Sequence, residues 1–110
     1  MRMKVYLSGP ITKGDREHNF AQACDAQKRL MLAGFAVLNP MLSMQLPGAW
    51  DIPHATWIEN DLPWIEDADI LLRLPGDSVG ADTEVNHALE HEINVIWDID
   101  ALIDIYGSTP

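Results

Sequence analysis

The 110-residue sequence predicts an α/β fold with a parallel sheet. Two observations predict it. Short apolar runs alternate with helical periodicities in the order strand, helix, strand, helix, strand, helix, strand. The runs are also apolar at nearly every position instead of every second one, the pattern of strands covered by helices on both faces. Right-handed crossovers then follow. In such sheets ligands sit beyond the carboxyl ends of the strands.

"KVYLSG" at 4–9 is β-branched, aromatic and apolar, and ends in glycine, so it reads as a buried strand. Residues 10–17 read as a polar loop containing Gly14. From Asn19, Phe20, Ala23, Cys24, Gln27, Leu30 and Met31 recur at three- and four-residue spacing, and Gly34 stops the helix. Residues 35–38 read as a second buried strand, closed by Asn39-Pro40. Residues 41–53 are irregular, with turn signals at Pro47-Gly48 and Ile52-Pro53. A second helix is predicted from His54 or Ala55 to Glu66, with a kink expected at Pro63. "DILLRL" at 69–74 is the third strand. A third helix runs from Gly80 or Ala81 to His91, and residues 93–97 form the fourth strand. Residues 98–106 are predicted as a short helix before a polar tail.

Length and composition fit one domain, 1–110, with 47% hydrophobic and 22% charged residues. No apolar run is long enough to cross a bilayer, so no membrane partner is expected. "MRMK" at 1–4 leads straight into a strand and does not read as a signal peptide. The single cysteine, Cys24, builds no disulfide framework; it reads as a buried structural thiol in a cytoplasmic protein. A formal net charge of −10 argues against a nucleic acid polymer as partner. It leaves room for one small nucleotide held by backbone amides and a helix end.

Tyr6 and Ser8-Gly9-Pro10 stand at the carboxyl end of the first strand, where a glycine lets backbone approach a ligand. "SGPITKG" lacks the dinucleotide-binding glycine spacing, and a strand followed by a tight turn explains it equally well. Glu84 falls in the expected first turn of the third helix, with Asp82 near the cap. The helix dipole there favours a negative charge by roughly 0.3–1 kcal/mol, so Glu84 is expected to be ionised at neutral pH. It reads either as solvation of a helix end or as a covalent nucleophile, and the segment alone favours the first. Among Glu59, Asp61, Glu66, Asp67 and Asp69, most read as solvated surface, and Asp69 as a structural cap at the amino end of a strand. Asp61 reaches the pocket only if its helix leans over the strand ends. There a second carboxylate supplies acid–base help, and a separation of about 5 Å is the retaining arrangement at a sugar carbon. His87 and His91 share a helix face with Glu84, but "HALEH" is not the "HExxH" order, so no metal is expected. Trp50, Trp57, Met41 and Met44 fit either the wall of a pocket for a flat base or core packing.

Together "VYLSGPI" (5–11), "IENDLPWIEDADILL" (58–72) and "SVGADTEVNHALEHEINVI" (78–96) resemble the nucleoside 2-deoxyribosyltransferase family, including its nucleoside 5′-monophosphate N-glycosidases. The resemblance runs from about Val5 to Trp97 and is poor over 39–53. It implies a flavodoxin-like or Rossmann-like three-layer sandwich with a parallel sheet of four to five strands. It also implies cleavage of the N-glycosidic bond of 2′-deoxynucleosides or their 5′-monophosphates. Glu84 falls on the family's nucleophile, Tyr6 on the tyrosine that orients it, and Asp61 on the aspartate that handles the base or a sugar hydroxyl. Ser8, Gly9 and Pro10 fall at the substrate, and Ser78 and Gly80 on the serine and glycine that help bind phosphate. Thr12 stands where the monophosphate enzymes carry an arginine, with Lys13 its neighbour. The resemblance implies no cofactor, a small-molecule nucleoside or nucleotide as partner, and a homo-oligomer. A nucleotide-binding module without turnover is the first alternative. An interaction protein with an acidic surface is the second.

Overall fold

The computed structural model describes residues 2–108, so Met1 and the end of the expected polar tail, Thr109-Pro110, lie outside the described residues. Four strands form the sheet: β1 (Lys4–Ser8), β2 (Ala36–Leu38), β3 (Ile70–Arg73) and β4 (Asn94–Ile96). They are parallel in the order β2-β1-β3-β4, with Tyr6 opposite Leu38 on one side and Leu71 on the other. The order reverses between β1 and β3, the switch point of a flavodoxin-like sheet. The predicted fold class is therefore the observed one.

The helices are α1 (Arg16–Leu32), α2 (His54–Glu66), α3 (Val79–Glu90) and α4 (Ile99–Tyr106). Side chains alternate across each strand, which divides the core into two layers. Val5, Leu7, Ile70, Leu72 and Leu74 pack with Ala23, Ala26 and Leu30 of α1 and Leu102 of α4. On the other face Tyr6 and Leu71 pack with Ile65 of α2 and Val85 and Ala88 of α3. Helices on both faces explain why the inner strands β1 and β3 carry no polar alternation, whereas β2 and β4 are sheet edges with exposed and half-buried residues, so the second strand is not the buried one expected. Only Ser8 and Arg73 interrupt the buried apolar runs, both at strand carboxyl ends on the α2/α3 face.

Three further expectations, about helix starts and burial, are corrected. The first helix begins at Arg16, because Asp15 caps it by accepting from the amides of Glu17 and His18. Asn19, the expected start of the helical pattern, is buried within α1 and donates to the Ile11 and Lys13 carbonyls, pinning the loop that leaves β1. The third helix is capped by Ser78, whose Oγ accepts from the Ala81 amide at 3.1 Å, and not near Asp82. Cys24 is only partly buried. The irregular stretch contains two short 3₁₀ helices, Pro40–Gln45 and Ala49–Asp51. Asn39 starts the first by accepting from the Met41 amide.

Helix α2 continues through Pro63. The missing proline N–H leaves the carbonyl of Glu59 without its usual donor, and Glu59 is exposed to water. Gly34 has φ +98, a left-handed conformation that turns the chain from α1 toward β2. At the amino ends of the strands, Asp69 Oδ2 accepts from the Lys4 amide at 2.8 Å and ties the entries of β1 and β3 together. No helix among the described residues is long and apolar enough to cross a membrane.

Candidate active site

The carboxyl ends of β1 and β3 carry the polar groups that interrupt the core. Tyr6 and Ser8, two apart on β1, point to the same face. Both hydroxyls meet the Glu84 carboxylate. Tyr6 donates to Oε2 in a short hydrogen bond, and Ser8 Oγ donates to Oε1 at 2.8 Å. Tyr6 and Ser8 are fully buried behind Glu84, which is only 7% exposed.

Glu84 is the sixth residue of α3, one turn deeper than expected. The field of a helix end fades within its first turn, so the dipole no longer governs this carboxyl. Burial does, and raises its pKa from 4.5 to about 7, with the charge of Asp61 adding to the rise. The Tyr6 and Ser8 hydroxyls, and more weakly Arg73, work against it by favouring the anion. The expectation of a fully ionised Glu84 is thereby corrected to one that titrates near neutrality. Burial and the neighbouring Glu84 charge push the Tyr6 phenol far upward, so it remains a donor. Burial also raises Asp61, against the hydrogen bond from Asn60 Nδ2 at 3.1 Å.

Glu84 opens onto a cavity of about 410 Å³ above the strand ends. Its walls come from three segments. Gly9, Ile11, Thr12 and Lys13 follow β1; Pro40, Met44, Ala49, Trp50 and Ile52 follow β2; Ser78–Ala81 follow β3. Helix α2 closes it with His54, Trp57, Ile58 and Asp61. Asp61 therefore shares the cavity with Glu84, which requires the lean of α2 over the strand ends. Trp57 is fixed by its indole N–H donating to the Ala49 carbonyl at 3.2 Å. Gly9 is tightly packed, since a Cβ there would stand 3.0 Å from Leu74 Cβ, which would have to give way.

The remaining sequence candidates divide. Ser78 and Gly80 line the cavity. Pro10 is absent from its walls; it is buried against Gly76. Met41 belongs to the core and Met44 to the cavity. Nothing after β4 reaches the cavity among the described residues; Trp97 lies beside the Arg73 guanidinium instead.

Two residues leave little trace in the sequence. His54 starts α2 and would meet any side chain placed at Gly80, its Cε1 standing 3.1 Å from where that side chain's Cβ would be. Arg73 is buried and braces the turn after β3 by donating to the carbonyls of Leu74 and Gly76 and to Asp82. Its Nε has no partner among the described residues. The signal for Arg73 was available, as a lone cation inside "DILLRL".

A family profile described as a domain of unknown function, DUF4406, matches residues 3–97. The chain belongs to the DUF4406 family. This DUF4406 protein is similar in structure to a 2-deoxyribosyltransferase from the psychrotolerant bacterium Bacillus psychrosaccharolyticus, characterised as a biocatalyst for nucleoside synthesis. The TM-score is 0.61 at 22% sequence identity, over 94% of this chain and 81% of the other. That likeness establishes the shared fold. No curated protein matches the chain.

Proposed function

We propose that the protein cleaves the N-glycosidic bond of 2′-deoxynucleosides or their 5′-monophosphates through a covalent glycosyl ester on Glu84. The observation that carries the reading is the Glu84 carboxylate, buried at the wall of the cavity and held at both oxygens by Tyr6 and Ser8. A carboxylate solvating a helix end would need neither hydroxyl. The likeness to a 2-deoxyribosyltransferase points the same way.

In this reading one Glu84 oxygen attacks C1′. The C1′–N bond breaks and its electron pair leaves with the base. Asp61 assists proton transfer to the departing base, directly or through water. Tyr6 and Ser8 fix the direction of the attacking carboxylate. A second base or a water molecule then attacks C1′, its proton leaves through Asp61, and the C1′–O bond breaks to free the Glu84 carboxylate. Trp50, Trp57 and Met44 offer flat and polarisable surfaces to the base. A 5′-phosphate would be met by Ser78, by the amides that open α3, and by Lys13 in place of the arginine replaced by Thr12. Ser78 Oγ accepts within its cap, and its own proton stays free for phosphate.

The test is base release from purified protein, with deoxynucleosides and their monophosphates, with and without a second free base. Activity that vanishes in Glu84→Ala, with a glycosyl adduct on Glu84 in intact-mass spectra, supports the reading. Release unchanged in that variant refutes the nucleophile. Saturable binding without release supports a binding module instead.

A further inference from the structure

Glu66, His87 and His91 form a second cluster of side chains, at the opposite end of α2 and α3 from the cavity. Glu66 is the last residue of α2, and the histidines lie four apart at the end of α3. That spacing puts both rings on one helix face, and their centroids are 4.2 Å apart. The third partner is Glu66 and not the Glu84 that the spacing brings to mind, because Glu84 turns inward to Tyr6. His87 Nε2 lies 2.9 Å and His91 Nε2 3.8 Å from the Glu66 carboxylate oxygens.

We propose that these three side chains bind a divalent cation of the zinc class, which clamps the ends of α2 and α3 together. Four observations carry it. One ligand atom from each residue falls within 4.8 Å of the others. Ligands about 2 Å from a tetrahedral ion stand roughly 3.3 Å apart, and each histidine nitrogen lies within about half an ångström of that spacing from one Glu66 oxygen, His87 from Oε2 and His91 from Oε1. Second, His91 Nδ1 lies 2.9 Å from the His87 carbonyl. A carbonyl only accepts, so Nδ1 donates, and Nε2 is the ring nitrogen that faces Glu66. Metal-bound histidines are oriented by this kind of contact. Third, α2 and α3 both end here, and each helix end contributes partial negative charge. Fourth, two imidazoles and a carboxylate suit zinc better than magnesium or calcium, which prefer all-oxygen sites.

On binding, the ion replaces the proton between His87 Nε2 and Glu66, and that proton moves to Nδ1 of the same ring. Glu66 and His91 are exposed, so water can complete the coordination.

The experiment is a titration of untagged, chelator-treated protein with zinc chloride, followed by calorimetry and by melting temperature, with cobalt(II) absorption as a second probe. One saturable site is expected, with a rise in Tm of several degrees and a tetrahedral cobalt spectrum. His91→Gln and Glu66→Gln should each weaken zinc at least tenfold, and His87→Gln/His91→Gln should abolish the site. His18→Gln, on α1, should change nothing. The unliganded Tm of each variant verifies that it folds. No saturable site in the parent protein, or equal binding by the double variant, overturns the proposal.

Discussion

Replacing Glu84 by glutamine should make the protein more stable, by an amount that grows as pH rises above about 4.5 and is full above about pH 7. The folded-state pKa of about 7 lies above the 4.5 of a free glutamic acid. Between those values the folded chain binds a proton that the unfolded chain has lost. Stability therefore falls as pH rises from about 4.5 to about 7, and then levels off. Each pKa unit is worth 1.36 kcal/mol, so the carboxylate costs roughly 3 kcal/mol above pH 7. Glutamine is neutral at every pH and keeps the shape of the protonated acid. Its carbonyl can accept from Tyr6, and its amide can donate to Ser8, whose hydroxyl serves either role. For a chain of this size the gain corresponds to a rise in Tm of order 10 °C at pH 8. At pH 4.5 or below the two proteins should melt within a degree or two of each other. Differential scanning calorimetry of both proteins from pH 4 to 8.5 measures it. An equal gain at both extremes would mean that packing, not ionisation, sets the difference. No gain at pH 8 would mean that Glu84 carries its charge without strain.

Other consequences follow from the same geometry. Tyr6→Phe deletes a hydrogen bond to a charged group worth about 1.5–3 kcal/mol. Base release at neutral pH should fall ten- to hundredfold, and the acidic limb of its pH profile should move upward, because the phenol favours the ionised Glu84. Asp61→Asn should slow base release by about 10²–10⁴-fold, and least for bases that leave readily as anions, measured over nucleosides of graded base acidity. Trp57→Ala removes a cavity wall and its tether to Ala49, and should raise KM more than it lowers kcat. Gly9→Ala forces a methyl to within 3.0 Å of Leu74 Cβ and should lower stability by about 1–3 kcal/mol in thermal melts.

The inner strands were legible because burial on both faces leaves an uninterrupted apolar signal, as in "KVYL" and "DILL". Element order and the carboxyl-end rule then located the cavity to within a few residues. Local capping was less legible. Asp15 and Asn19 are both cap-forming residue types four apart, and only tertiary contacts decide that Asp15 caps while Asn19 holds the loop. The rim between Asn39 and Pro53 could not be read, since short 3₁₀ helices leave no 3.6-residue periodicity. Glu84 illustrates the deeper difficulty. From its own segment it resembles a helix-end carboxylate, and only the family resemblance gave it a role. Its burial and its pKa depend on Tyr6 and Ser8, 78 and 76 residues away. The field of a helix end, the one effect visible locally, is smaller than the desolvation that tertiary structure imposes.

The two hydroxyls that grip Glu84 belong to β1, which has a neighbouring strand on each side. A displacement of either would break ladders in both directions, so the floor of the site inherits the rigidity of the sheet's middle. The opposite wall, Trp50 with Met44 and Ile52, rests on short turns and is tied down far more lightly. Altered preference for a base is therefore best sought by varying the 40–58 rim. Substitutions in β1 would trade away the foundation before they reshaped the mouth.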